Sequence, residues 1–188
     1  MMKQWLLITL AAIPTFLSAN EYEAQLKELA FSKIEPLTTQ PDVIDAIKAQ
    51  NVKNASLSEN QIIELDNTWR AEVSASNPTL INQVLNNPLS MKLKETQEMS
   101  EGMFTEIFIM DNKGLNVGQS SMTSDYWQGD EAKWQQTYLK GPKSIHISEV
   151  EEDESTQTFQ SQVSMSITDP SSGQVIGAIT VGVNIEEL

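Results

Sequence analysis

The sequence predicts an α+β domain, with a helical first half followed by an antiparallel sheet. Two observations predict it. Apolar residues recur at helical spacing through the first half, and beyond Gly102 they alternate with a period of two. Strong turn signals, Asp111-Asn112-Lys113-Gly114 and Asp169-Pro170-Ser171-Ser172-Gly173, then cut the second half into strand-sized pieces. Helices in one block and strands in the next belong to an antiparallel sheet with its helices gathered on one side.

The N-terminus reads as an address. Lys3 supplies a positive charge, Trp5 to Leu17 form an apolar core of secretory length, and Ala19 offers a small residue for cleavage. Pro14 and the shortness of the apolar run argue against a permanent membrane span. The expected product is exported to the periplasm and soluble, with residues 1–19 removed.

Residues 20–102 are expected to be helical. Leu26, Leu29, Ala30 and Ile34 share a helical face that ends at Pro36. Pro41 fits a first helical position ahead of Val43, Ile44 and Ile47. Ser58 and Gln61 form a capping-box pattern, followed by Ile62, Leu65, Trp69 and Val73 on one face. Asn77-Pro78 opens a short helix through Leu85, and Met91 to Met99 adds another after Asn87-Pro88.

Residues 103–188 are expected to form the sheet, joined with the helices in one domain over 20–188. The run Ile107 to Met110 turns at Gly114 and returns through Leu115, Val117 and Gln119. Ile145 to Val150 is a third strand, and Glu151-Glu152-Asp153-Glu154 reads as a solvated turn. Phe159, Val163, Met165 and Ile167 alternate with Gln160, Gln162, Ser164 and Ser166, which predicts one buried and one wet face. Val175 to Ile185 closes the set of five strands, with Gly177 and Gly182 permitting close approach or a bulge.

Composition removes several functions. The chain has 188 residues, 12 basic against 26 acidic side chains and a net charge of −14. With Arg70 its single arginine, it lacks the clustered cations of a nucleic-acid surface. The absence of cysteine removes disulfides and thiolate chemistry. His146 stands alone, no nucleophile motif is present, and Glu149 to Glu154 lacks the spacing of a calcium loop, so no metal, cofactor or catalytic activity is expected.

The stretch from Thr105 to Tyr138 suits binding instead. Asp125, Tyr126, Trp127, Asp130, Lys133, Trp134 and Tyr138 fall in the connection after the second strand. Trp127, Trp134 and Tyr138 are spaced to share a helical face, and rings offer contact area for a ligand or a seal onto the sheet. Asp125 and Asp130 suit an ammonium, with Asp130 also placed to cap a helix. Lys133 or Arg70 suits a carboxylate.

Three runs, EIFIMDNKGLNVG from Glu106, SDYWQGDEAKW from Ser124 and DPSSGQVIGAITVGV from Asp169, resemble the Cache family of extracytoplasmic PAS-like (PDC) sensor domains. The similarity covers about residues 100 to 188. It implies a PAS-like five-stranded antiparallel sheet, with a small molecule held between the sheet and the connection after its second strand. It also implies a sensor that detects a polar metabolite, such as an amino acid, an amine or a small carboxylate, and signals through a separate membrane-bound protein. An accessory module binding only a protein, through an apolar patch on Tyr22 to Val73, is the alternative; a weak hydrolase would need a convergent acid–base pair.

Overall fold

The computed structural model describes residues 20–153 and 158–188, so the proposed leader lies outside the described residues. The architecture is α+β. Helix α1 (Glu23–Leu29) and α2 (Glu35–Thr38) are joined without a break by a π-helical turn, Ala30–Ile34. Pro36 therefore does not end the helix, contrary to the sequence expectation. A proline lacks an N–H and its ring presses on the carbonyl four residues back. The wider turn, in which the Glu35 N–H reaches back to the Ala30 carbonyl, relieves that pressure.

Helix α3 (Pro41–Lys53) starts on its proline, and α4 (Glu59–Glu72) carries the complete capping box of Ser58 and Gln61. After α5 (Thr79–Leu85), α6 (Pro88–Glu98) begins a turn earlier than the sequence suggested. The Asn87 side chain accepts the Ser90 N–H, which makes Pro88 the first helical residue and not an interruption.

The strands are β1 (Phe104–Met110), β2 (Asn116–Gln119), β3 (Ile145–Ile147), β4 (Glu151–Asp153), β5 (Thr158–Thr168) and β6 (Val175–Asn184). They pair antiparallel in the order β2-β1-β6-β5-β3, with β4 also beside β5. The expected third strand, Ile145 to Val150, is cut short at Ile147, and a separate short strand follows it. The acidic run is not a turn: Glu151, Glu152 and Asp153 pair with Gln160, Phe159 and Thr158 and lengthen the hairpin arm.

Side-chain alternation gives the sheet two different faces. Ile107, Ile109, Val163, Met165, Ile167, Ile179, Val181 and Val183 pack with apolar residues of α1, α2, α3 and α6 into one core. Phe108, Met110 and Ala178 point the other way. Gly177 allows the tight approach expected of it, since a Cβ there would lie 2.3 Å from the Met110 carbonyl oxygen.

The polar edge of α3 holds both hairpin turns. Lys48 reaches Asp169 at 3.1 Å, and Asn51 donates to the Ile176 carbonyl while accepting the Asn112 N–H. Hydrogen bonds from the Ser171 backbone and hydroxyl, then from Lys48 and Ser172, hold the Asp169 carboxyl well below the usual carboxylate range. Its ionised form is favoured in the folded state, so the stability it adds at neutral pH is lost as pH falls below the ordinary value of ~3.9. Asp169→Asn is expected to lower Tm at neutral pH, with the gap to the parent protein closing under more acid conditions. Equal melting at neutral pH would show that this tether does not contribute.

Candidate functional site

The connection between β2 and β3 returns along the β1–β2 hairpin and then crosses the second face of the sheet. Its first part is fixed by backbone pairing: Asn116 donates to the Tyr126 carbonyl and Gln128 to the Gly114 carbonyl, at 3.0 and 2.7 Å. Gly114, at φ +81°, lies so close to Gly129 that a Cβ would meet its Cα at 2.6 Å. Buried Tyr126 stacks on Trp69 with centroids 5.4 Å apart, in a cluster with Leu115 and residues of α4 and α5. Burial, and secondarily the negative charge of Asp111, push its phenol well above the usual range. The Asp66 carboxylate accepts both the Tyr126 and Trp127 N–H groups at 2.9 and 3.0 Å, and the Trp127 indole donates to the Lys113 carbonyl. Arg70 bridges Asp66 and Asp125 at 2.7 and 3.1 Å.

The second part covers the sheet. Helix α7 is only Ala132–Gln135, with Glu131 at its N-cap position. Asp130 is exposed and precedes that cap, contrary to the capping expectation. Trp134 donates to the Asp111 carbonyl at 3.1 Å, stacks on Tyr138 at 4.8 Å and packs on Phe108, Met110 and Ala178. Burial, with a lesser contribution from Asp111, keeps the Tyr138 hydroxyl protonated. The Lys133 ammonium lies 5.4 Å from the Phe108 ring centroid and 2.9 Å from Glu131, and its side chain is only 15% exposed.

Beneath this cover, the register sets Gln119, Phe108, Thr180, Ser164 and His146 side by side on successive strands. Ser164 and Thr180 are fully buried and share a hydroxyl hydrogen bond of 2.9 Å. Half-buried His146 is kept neutral by burial, which lowers its pKa. Next to Gln119, the amides of Asn116 and Gln128 are also buried. A partly buried cation, stacked rings and a strip of hydroxyl and amide groups can hold a small polar molecule, with no group poised for covalent chemistry. Among the described residues, no cluster of His, Asp and Glu is arranged to hold a metal.

The predicted residues therefore separate into two groups. Lys133, Trp134 and Tyr138 come together on the sheet, whereas Asp125, Tyr126 and Trp127 lie toward α4 and Asp130 faces solvent. Trp127 shares no helical face with Trp134, because the helix begins after it. The face expected to be wet is covered: Ser164 is fully buried and Ser166 is 8% exposed. Sequence reasoning missed Gln119, Gln128, Ser164 and Thr180. The available signal was short hydroxyls, in place of charged side chains, at the alternate positions of β5.

No family model matches the chain, and no curated protein does. Solved structures that it resembles include the sensor domain of the V. cholerae histidine kinase DctB (15% identity, 88% of this chain and 58% of that one, TM-score 0.39). The sensory domain of the Campylobacter jejuni chemoreceptor Tlp3 is another (15%, 88% and 63%, TM-score 0.42). A third is the ligand-binding domain of the Pseudomonas aeruginosa amino acid chemoreceptor PctC, solved in complex with GABA (12%, 85% and 62%, TM-score 0.38). Sensor domains of such kinases and chemoreceptors are Cache domains, the family that the sequence resembles. The chain spans 58% to 63% of the lengths of these three chains.

Asp66 is the test of how the connection is held. Asp66→Ala leaves two N–H groups of the connection without an acceptor and is expected to cost about 1–3 kcal/mol for each. Arg70→Ala removes only an exposed partner and is expected to cost about 1 kcal/mol or less. Urea denaturation of both variants separates the two, and equal losses would overturn the central place given to Asp66.

Proposed function

We propose that this protein is an exported, Cache-like sensor that binds a small polar metabolite between the sheet and the Lys133–Tyr138 segment. The observation that carries the reading is Lys133. Its ammonium is largely withdrawn from solvent and directed over Phe108, beside the strip of Thr180, Ser164 and Gln119. Its partner in the chain, Glu131, is the more exposed of the two, and a ligand carboxylate would add a second anion on the sheltered side. Trp134 and Tyr138 offer apolar contact, while the hydroxyl strip fixes orientation.

Asp125, Tyr126 and Trp127 then serve the site by positioning, since their polar groups are occupied by Arg70, Gln128, Asp66 and Lys113. The anchor is Lys133, which favours a carboxylate-bearing ligand over a simple amine. Binding without a covalent step fits a sensor and not an enzyme. Transmission through a separate membrane-bound signalling protein in the periplasm belongs to the same reading; among the described residues, no helix is long and apolar enough to cross a membrane.

A thermal-shift screen against amino acids, amines and small carboxylates tests this. A ligand at 100 times its Kd adds about 2.7 kcal/mol, a visible shift for a domain of this size. Carboxylates are expected to score and simple amines to fail, and Lys133→Met is expected to remove the response while keeping the unliganded Tm. Carboxylate binding that survives in the Lys133 variant would move the site elsewhere. A blank screen would transfer the function to a protein partner, to be sought by pull-down from membranes.

A further inference from the structure

Three buried amides next to Lys133 retain hydrogen-bonding capacity that the protein itself does not use. Asn116, Gln119 and Gln128 are 0%, 1% and 1% exposed. Asn116 Oδ1, Gln119 Nε2 and Gln128 Oε1 have no partner within the chain. The orientation of each amide is fixed by its other end. Asn116 Nδ2 donates to Gln119 Oε1, Thr123 Oγ1 and the Asp125 carbonyl at 2.9, 3.1 and 3.3 Å. Gln128 Nε2 donates to the Asp125 carbonyl and carboxylate at 3.2 and 2.7 Å. Turning any one of the three amides end for end would set donor against donor or acceptor against acceptor. The fold therefore presents two acceptors and one donor.

These groups form one cluster. Asn116 bonds Gln119 directly, and Asn116 and Gln128 share the Asp125 carbonyl. The cluster offers a neutral group a match and an ion no counter-charge, because the Asp125 carboxylate is already taken by Arg70 and Gln128. A buried polar atom left unpaired forfeits its hydrogen bond to water, so a partner that satisfies all three is strongly selected. A primary carboxamide carries two N–H donors and one carbonyl acceptor, the complement of this set. Gln119 lies opposite Phe108 in register, and Lys133 sits over that same ring. The cluster and the cation thus flank the same ring.

We infer that Asn116, Gln119 and Gln128 form the selective end of the ligand site, and that they take the primary carboxamide of a short carboxylate held at Lys133. This rests on the Lys133 reading above. Two methylenes between the carboxylate and the carboxamide join the two polar ends.

Isothermal titration of the protein with succinamate, succinate and butyrate tests the inference. The three share a four-carbon skeleton and one carboxylate and differ only at the far end. Succinamate is expected to bind about tenfold more tightly than either of the others, since a site built for hydrogen bonds rejects an analogue lacking them. Gln119→Met removes the donor, together with the acceptor that Asn116 uses, and is expected to abolish that preference, with an unchanged circular dichroism spectrum reporting an intact fold. If either other probe binds as tightly as succinamate, or the preference persists in the variant, the amides hold only water and the inference falls while the Lys133 site stands. If none of the three binds, both fall.

Discussion

The buried carboxylate of Asp111 is the constraint on which the arrangement depends. It is fully buried, and instead of a cation it has four N–H donors. One oxygen accepts the Lys113 and Leu115 N–H groups and so shapes the β1–β2 turn; the other accepts the side chains of Gln50 and Asn54 from α3. The Asp111 carbonyl in turn accepts the Trp134 indole. A charge placed this deep is tolerable only when its acceptor capacity is filled, so helix, turn and cover must assemble together. With Lys48 and Asn51 on the second hairpin, α3 fixes both turns against one element.

That assembly explains why the two faces of the sheet serve different ends. The helical face is filled by branched aliphatic side chains, interdigitated in the manner of an ordinary core. The second face is covered by a single short helix and its flanking loops, attached through two indole-to-carbonyl bonds, the two N–H bonds to Asp66, two backbone bonds to the β1–β2 hairpin and the stacking of Tyr126 on Trp69. An irregular cover leaves backbone and side-chain polar groups facing the sheet, where a packed helix would present only aliphatic groups. Hydroxyls and amides at Ser164, Thr180, Gln119 and Asn116 can persist there because they bond to one another.

The sequence was legible where local chemistry decides the outcome. The capping box at Ser58, the proline start of α3, the two glycine turns and the alternation along β5 all follow from nearest-neighbour rules, and the α+β order follows from them. It was illegible where distant contacts override local ones. Pro36 reads as a stop, yet a π-turn absorbs it because α1 and α2 both pack their apolar residues on the same core. Glu151 to Asp153 read as a turn, yet they pair with β5 as a strand while Glu151 and Glu152 stay exposed. The aromatic run reads as one stretch, but its division into Tyr126–Trp127 and Trp134–Tyr138 depends on where the chain reverses around Gly129. That reversal is set by the contact with Gly114, fifteen positions earlier in the chain.

The proposed carboxylate ligand would have to approach a protein of net charge −14, and the magnitudes decide what that opposition is worth. The field of dispersed surface acids is screened over about 10 Å at 0.1 M salt, so it slows encounter more than it weakens the bound state. At the site the balance is local. Lys133 is mostly withdrawn from water, its nearest charged partner, Glu131, is more exposed than it is, and Phe108 presents a ring face to the ammonium. In such a setting a direct ion pair outweighs the screened background, because the effective dielectric around a partly buried pair is far below that of water. In the proposed binding mode, affinity would then come from short-range contacts rather than from the field of the surface.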